Sequence, residues 1–224
     1  MKQAPFRFVL SPEVKGKVLL ACLHFGQVEV KGYFEPLWRE IDQLAAEHRA
    51  RIGSLEAALP VLQPARTLYR QMGVDPTKHR PSSEALLRRV LKGTPLYQIN
   101  TVVDTCNLCS LRFLLPIGLY DTAGIRGQAV QVRRGVEGES YEGIGKGWLS
   151  AAGKLILADE HGPFGNPSAD SARTGVTLET RAVLMVIFAP GGYSKERLHE
   201  HMEFAISRMA RYCAAVLADQ SVIS

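Results

Sequence analysis

A chain of 224 residues with 46% hydrophobic and 22% charged content has the material for a packed core and is too apolar to be disordered. No uninterrupted apolar run approaches the ~20 residues of a membrane helix, and the start, MKQAPFRFVL, is too short and too broken for a secretory leader. One domain over residues 1–224, located in the cytoplasm with no membrane contact, is the expectation, and the net charge of +5 biases the surface toward anionic partners.

Residues 5–30 read as two strands: FRFVL, then KVLLACLHFGQVEV, which closes on the alternation of Val28 and Val30. His24 falls here as a strand or core histidine. Residues 34–50 follow as a helix, with Phe34, Leu37, Trp38, Ile41, Leu44 and Ala45 on one stripe and the tryptophan as a core anchor. A second helix spans about 61–72, with Pro64 in its first turn and Gly73 as its stop. Pro76 and Pro81 stiffen the next link, and Ser82 or Ser83 is the expected cap of a short helix through Leu91, closed by Gly93 and Pro95. Another helix is predicted from about 100 to 113.

Beyond Asp121 the texture changes to strands separated by glycine turns: QAVQVRR, ESYEGI and KLILAD. RAVLMVIFAP is continuously apolar, the mark of a strand buried on both faces. The segment 194–217 reads as a long C-terminal helix capped by Ser194, with Leu198, Met202, Ile206, Met209, Cys213 and Val216–Leu217 as its stripe. His199 and His201, two apart, point to different sides and cannot share a metal on one helical face. Strands, helices, strands and a helix argue for an α+β class with segregated layers.

Dinucleotide and P-loop fingerprints are absent, as are G-x-S-x-G and H-E-x-x-H, so no cofactor or metal is expected. Cys106-x-x-Cys109 lies within an apolar helical pattern without a second pair, and small buried thiols are the reading over a zinc site. Residues 66–92 carry seven cations against Asp75 and Glu84, so this window alone equals the net charge. Either a phosphate-bearing partner binds here, through Lys78, Arg80, Arg88, Arg89 and Lys92, or the face is merely solvated. No aromatics interleave these cations.

Asn100, Asp104 and Asn107 interrupt the apolar stretch INTVVDTCNLCSLRFLLPIGLYD at helical spacing. Buried polar groups cost free energy unless partnered. Pro116 then breaks the chain, and Gly118 and Asp121 follow. The pattern Ile99-Asn100, Val103-Asp104, Asn107, Pro116, Tyr120-Asp121 resembles the editing domain, also called the tRNA-binding third and fourth domains, of the β-subunit of bacterial-type phenylalanyl-tRNA synthetase. VEGE at 136–139, LILADEHGP at 155–163 and VTLETRAVLMVI at 176–187 extend the resemblance over about 95–190. It implies a free-standing editing-type domain folded as a three-layer β/β/α sandwich, with 5–94 and the C-terminal helix as extensions. It also implies a pocket between the Asp–Asn helix and the loop before Val-Thr-x-Glu-Thr, and hydrolysis of the ester of a misattached amino acid on tRNA.

Carried over residue by residue, the resemblance gives Cys106, Asn107, Pro116, Gly118, Asp170, Ser171, Arg173 and Thr174 as pocket residues. Asn100, Asp104 and Asp121 would support them. Three departures stand out: Cys106 replaces the usual threonine, Gly118 a frequent histidine, and FGNPSADSARTG lacks the glutamate that recognises a tyrosine hydroxyl. Tyrosine is therefore not assumed as substrate. Arg173 either meets a phosphate or carboxylate bidentately or pairs with Asp170 and fixes the loop. Asp104 and Asn107 are expected to satisfy backbone groups of an irregular loop. Cys106 has no neighbouring base or cation in sequence to make it a nucleophile. Ester hydrolysis needs only an oriented water and donors toward the oxyanion, so no catalytic residue is singled out. Two functions follow: a deacylase acting on tRNA or aminoacyl-tRNA, or a binding module for an amino acid or RNA that has lost hydrolysis.

Overall fold

The structure, a computed structural model, describes residues 5–224. In chain order it runs β1 (Arg7–Leu10), β2 (Val18–Gly26), α1 (Glu35–Ile52), α2 (Gln63–Gln71), α3 (Ser82–Leu91), α4 (Thr101–Phe113), β3 (Ile117–Asp121) and β4 (Ala129–Arg134). Then come β5 (Ser140–Gly143), β6 (Gly147–Ser150), β7 (Leu155–Asp159), β8 (Gly162–Asn166), β9 (Ala169–Asp170), β10 (Val183–Pro190), α5 (Lys195–Cys213) and β11 (Val216–Ile223).

Successive side chains of a strand face opposite ways, so a continuously apolar strand needs cover on both sides. Every residue of β10 is buried. Its Val183, Met185, Ile187 and Ala189 face the helices α1, α3, α4 and α5, while Leu184, Val186 and Phe188 face a second sheet. β2 divides likewise, with Leu19, Ala21, Leu23 and Phe25 on the helical side and Val18, Leu20 and Cys22 on the other. The central sheet has the order β11-β2-β10-β3 and the outer one β1-β4-β7-β8-β9, with β5 and β6 as a separate hairpin. The molecule is thus an α+β, three-layer β/β/α sandwich.

Several local signals act as the sequence predicts. Ser194 caps α5 by accepting from Arg197 at 3.1 Å; Asn100, read from sequence only as a polar interruption and a support of the pocket, turns out to cap α4 by accepting the Val102 and Val103 amides at 3.1 and 2.9 Å. All four cysteines are free and buried. His24 is buried in β2 with Phe6 edge-on to it.

Two expectations about helix ends are corrected. Neither Ser82 nor Ser83 caps α3, because Pro81 holds the extended capping position and both serine hydroxyls are buried without a partner. The C-terminal helix does not reach 217. It stops at Cys213, where Ala214 turns left-handed with φ 50°, and Val216–Ile223 then returns as β11 along β2. Val216–Leu217 continued the helical spacing from Cys213, which hid the strand; pairing β11 with β2 covers an edge that would otherwise expose a row of backbone groups.

The short helices α2 and α3 are tied by charge. The Glu84 carboxylate, with 1% of its side chain exposed, accepts from Arg66 Nε and Nη2 at 2.8 and 2.7 Å and from Arg88 Nε at 2.9 Å. Burial alone raises this carboxyl, and the two guanidinium groups reverse that and leave it below its ordinary value. Replacing Glu84 with Gln should therefore strand the Arg66 charge and lower stability by about 3 kcal/mol near neutral pH in urea unfolding. The depressed group contributes above its unfolded pKa and loses its contribution as pH falls through the folded one, so the gap to wild type should narrow in acid.

Candidate functional site

Two sheet edges meet beneath α4. β3 is the last strand of the central sheet and β9 the last of the outer one. The amide of Leu119 in β3 donates to Asp170 Oδ2 in β9 at 3.2 Å, a bond that crosses between the sheets. Tyr120 fills the space behind it, fully buried, with the Phe164 ring edge-on at 4.9 Å. Its ring lies so close to Gly118 and Gly165 that a Cβ on either would come within 2.1 or 2.4 Å of it. That accounts for Gly118: any side chain there would displace Tyr120.

A cavity of about 650 Å³ opens at this junction. Val103, Cys106, Asn107 and Ser110 of α4 form one wall, and Ile117 and Leu119 the floor. Leu68 and Tyr69 of α2 with Met72 just past its end, Leu86 and Arg89 of α3, the 166–170 segment and the β5–β6 hairpin help complete it. The hairpin turn is held over the segment, with the Ile144 amide donating to Asp170 O at 3.1 Å and Lys146 Nζ to Ser168 O at 3.3 Å.

Asn166 shapes the segment. Its Oδ1 accepts the amides of Ser168 and Ala169 at 2.7 and 3.1 Å, and its Nδ2 donates to the Tyr141 hydroxyl at 2.6 Å. Tyr69 and Ser168 join hydroxyl to hydroxyl across to α2. Sequence reasoning passed over Asn166, Tyr69 and Tyr141. The Asn166-Pro167 pair was an available turn signal, whereas nothing local marked the tyrosines.

The expected site residues separate into two groups. Cys106, Asn107 and Asp170 line the cavity. Pro116, Gly118, Ser171, Arg173 and Thr174 lie behind it: Pro116 accepts the Phe188 amide, Ser171 Oγ accepts the Arg173 amide, and the Thr174 hydroxyl is fully buried against Phe164 O and Ser171 O. Arg173 does not pair with Asp170. It clamps the fully buried Asp159 carboxylate at 2.8 and 3.0 Å and donates to Gly124 O at 2.7 Å, so its fork is spent on the scaffold. A loop arginine finds the nearest buried carboxylate, and Asp159, already receiving the Arg126 and His161 amides, is that group.

The supporting residues do structural work. Asp104 accepts Trp38 Nε1 at 3.0 Å and the Ile99 amide at 3.1 Å, joining α4 to α1 and to the preceding loop. Burial raises its carboxyl against these two bonds. Asp121 accepts the Ala123 amide at 2.9 Å and the Thr180 hydroxyl at 2.6 Å, which ties β3 to the Thr-x-Glu-Thr turn. Asn107 departs from the expectation that it bonds loop backbone: among the described residues its side chain makes no hydrogen bond, and it faces the cavity.

Electrostatically the cavity is one-sided. Lys78, Arg80, Arg89, Lys146 and Lys154 line it, and Asp170 is its single carboxylate among the described residues. Arg88 is drawn away to Glu84, and Lys92 is exposed beyond the rim. Burial pushes the Asp170 carboxyl up to about 7, against the Leu119 amide, the Tyr120 hydroxyl and Lys146. Burial also raises the Cys106 thiol well above its ordinary value, so it carries no thiolate near neutrality. No group of three or more His, Cys, Asp or Glu is arranged for a metal, and no helix is long and apolar enough to cross a membrane, among the described residues.

The model of the B3/4 domain family matches residues 64–217. No curated protein matches the chain. Among solved structures, an N-terminal fragment of the phenylalanyl-tRNA synthetase beta-subunit from Pyrococcus horikoshii is similar, with 12% identity and a TM-score of 0.48. That similarity covers 100% of this chain and 56% of the fragment, so the chain spans just over half its length.

The Asp170 carboxyl sets a pH signature. Its folded pKa lies above the unfolded value, so its contribution to stability is full in acid and is lost as pH rises toward about 7. Asp170→Asn, which stays neutral, should match wild type only near pH 3, below the unfolded carboxyl value, and gain on it as pH rises from about 4 to about 7. Thermal unfolding across pH checks this, and a pH-independent difference would contradict it.

Proposed function

Since the chain belongs to the B3/4 domain family, matched over residues 64–217, we propose that its cavity takes the aminoacylated end of a tRNA and that the protein hydrolyses the ester of a misattached amino acid. The observation that carries this reading is the pairing of a largely apolar interior of about 650 Å³, roomy enough for an amino acid with the nucleoside that carries it, with a rim of five cations that suits the phosphates leading into it. In this reading a water attacks the ester carbonyl, the bond to the ribose oxygen breaks, and that oxygen takes a proton as the free amino acid leaves. The uncharged Asn107 amide, unspent on protein partners, orients water or donates to the developing oxyanion. Asp170, titrating near neutrality, accepts the proton that the water loses. Cytoplasmic action on tRNA follows from the same proposal.

The protonated Cys106 and the want of a nucleophile–base pair along the described cavity wall favour a second reading, an amino-acid or RNA binding module without hydrolysis. A panel of misacylated tRNAs separates the two. Loss of the ester above the buffer rate for at least one tRNA is expected, with Asn107→Ala slower by about a hundredfold. Salt-dependent RNA binding without any cleavage leaves only the binding module, and no RNA binding at all sinks both RNA readings. Lys78→Ala or Arg80→Ala should each weaken RNA binding and lower the salt slope by about one.

A further inference from the structure

Tyr97 stands on the cavity rim with 67% of its surface exposed, unusual for a large aromatic ring with no structural partner inside the core. The ring is nevertheless held. The Arg89 guanidinium covers it at 4.2 Å from the centroid, and Arg89 Nη1 donates to the Tyr97 hydroxyl at 3.2 Å. Arg89 is itself anchored to the carbonyl of Pro95 through Nε at 3.2 Å and Nη2 at 2.6 Å. A guanidinium fixed by backbone and pressed on an aromatic ring makes a flat, pre-oriented, positively charged surface. Lys78 and Arg80 lie on the same rim; Arg80, 47% exposed, has its Nε 3.8 Å from the Glu84 carboxylate behind it, and Asp170 is the one carboxylate among the described lining residues.

We propose that the Arg89–Tyr97 pair is a stacking platform for the terminal nucleobase of an RNA 3′ end, with Lys78 and Arg80 receiving the phosphates that precede it. The proposal rests on the RNA reading above and adds to it the group that positions the terminal nucleoside. Every base presents a flat face, and an exposed tyrosine backed by arginine offers the matching surface without selecting sequence. Stacking the base at the rim sets the ribose at the mouth and directs its ester inward toward Asn107 and Asp170. The sequence hid this arrangement, because Tyr97 lies eight residues beyond Arg89, outside the basic window, and the turn at Gly93 brings the two together.

The test is equilibrium binding of an RNA stem with a single-stranded 3′ end terminating in 2-aminopurine, whose fluorescence falls when the base stacks. Wild type should bind and quench. Tyr97→Phe should keep the quench, while Tyr97→Ala should lose it and bind about tenfold more weakly. Because Tyr97 is exposed, circular dichroism and melting of the alanine variant should match wild type. A second variant, Arg89→Ala, removes the guanidinium that holds the ring and should weaken the quench. Wild-type binding with an unchanged quench in Tyr97→Ala would overturn the platform and leave the RNA reading intact. Absence of any RNA binding by wild type would instead overturn the reading on which the platform rests.

Discussion

The last strand of a sheet carries backbone donors that no neighbour takes up, and a fold must satisfy or cover them. At β3 the Leu119 donor goes to a carboxylate that arrives from the other sheet. The bond from Leu119 to Asp170 holds two edges together where no shared ladder is possible. Because the edges meet through one side chain and not through a continuous ladder, α4 cannot seat flush over the seam, and a hollow remains. Tyr120 makes the seam rigid from behind, and it can do so only because Gly118 and Gly165 lack side chains. The cavity is therefore a consequence of how the layers end, with Asp170 serving at once as the fastening and as the one carboxyl on the wall.

Charge is sorted by the same geometry. Glu84, buried between α2 and α3, absorbs Arg66 and Arg88 into a network whose function is to hold the short helices against the body. Asp159 does the same with Arg173 beneath the 3-10 turn that follows β9. A guanidinium that reaches a buried carboxylate is lost to any ligand, since withdrawing it would strand the carboxylate. Cations held less tightly gather at the rim, where Lys78, Arg80, its Nε 3.8 Å from Glu84, and Lys146, bonded to Ser168 O, border the cavity from α2–α3 and from the hairpin. A basic window read as one patch in sequence is thus two populations, one internal and one facing the mouth.

How far sequence carries this molecule depends on the range of the interaction. Ser194 was legible because a cap and its donor lie within three residues, and β10 because eight apolar residues in a row demand two covered faces. β11 was not legible, since Val216 and Leu217 continue a helical spacing and only the open edge of β2, nearly 200 residues earlier in the chain, makes a strand the better choice. The partner of Arg173 failed for a similar reason: Asp170 is three residues away, but its carboxyl is turned to Leu119, while Asp159 comes alongside through the β7–β8 hairpin. Of the polar residues in the helical segment, Asp104 found the loop amide expected of it and also the Trp38 indole, which no local pattern announces.

The departures from the family pattern form one arrangement. In this chain a side chain at position 118 would run into Tyr120 between the sheets, so the glycine there goes with the placement of the fully buried tyrosine two residues on. Tyr120 in turn sets its hydroxyl beside Asp170, whose carboxyl is pushed up to about 7 by burial. Cys106, next to this group on α4, contributes a small apolar surface and no charge. The wall is in this way nearly neutral and the rim strongly positive, a division that in the proposed reading would draw phosphate to the mouth and leave the interior to an uncharged group.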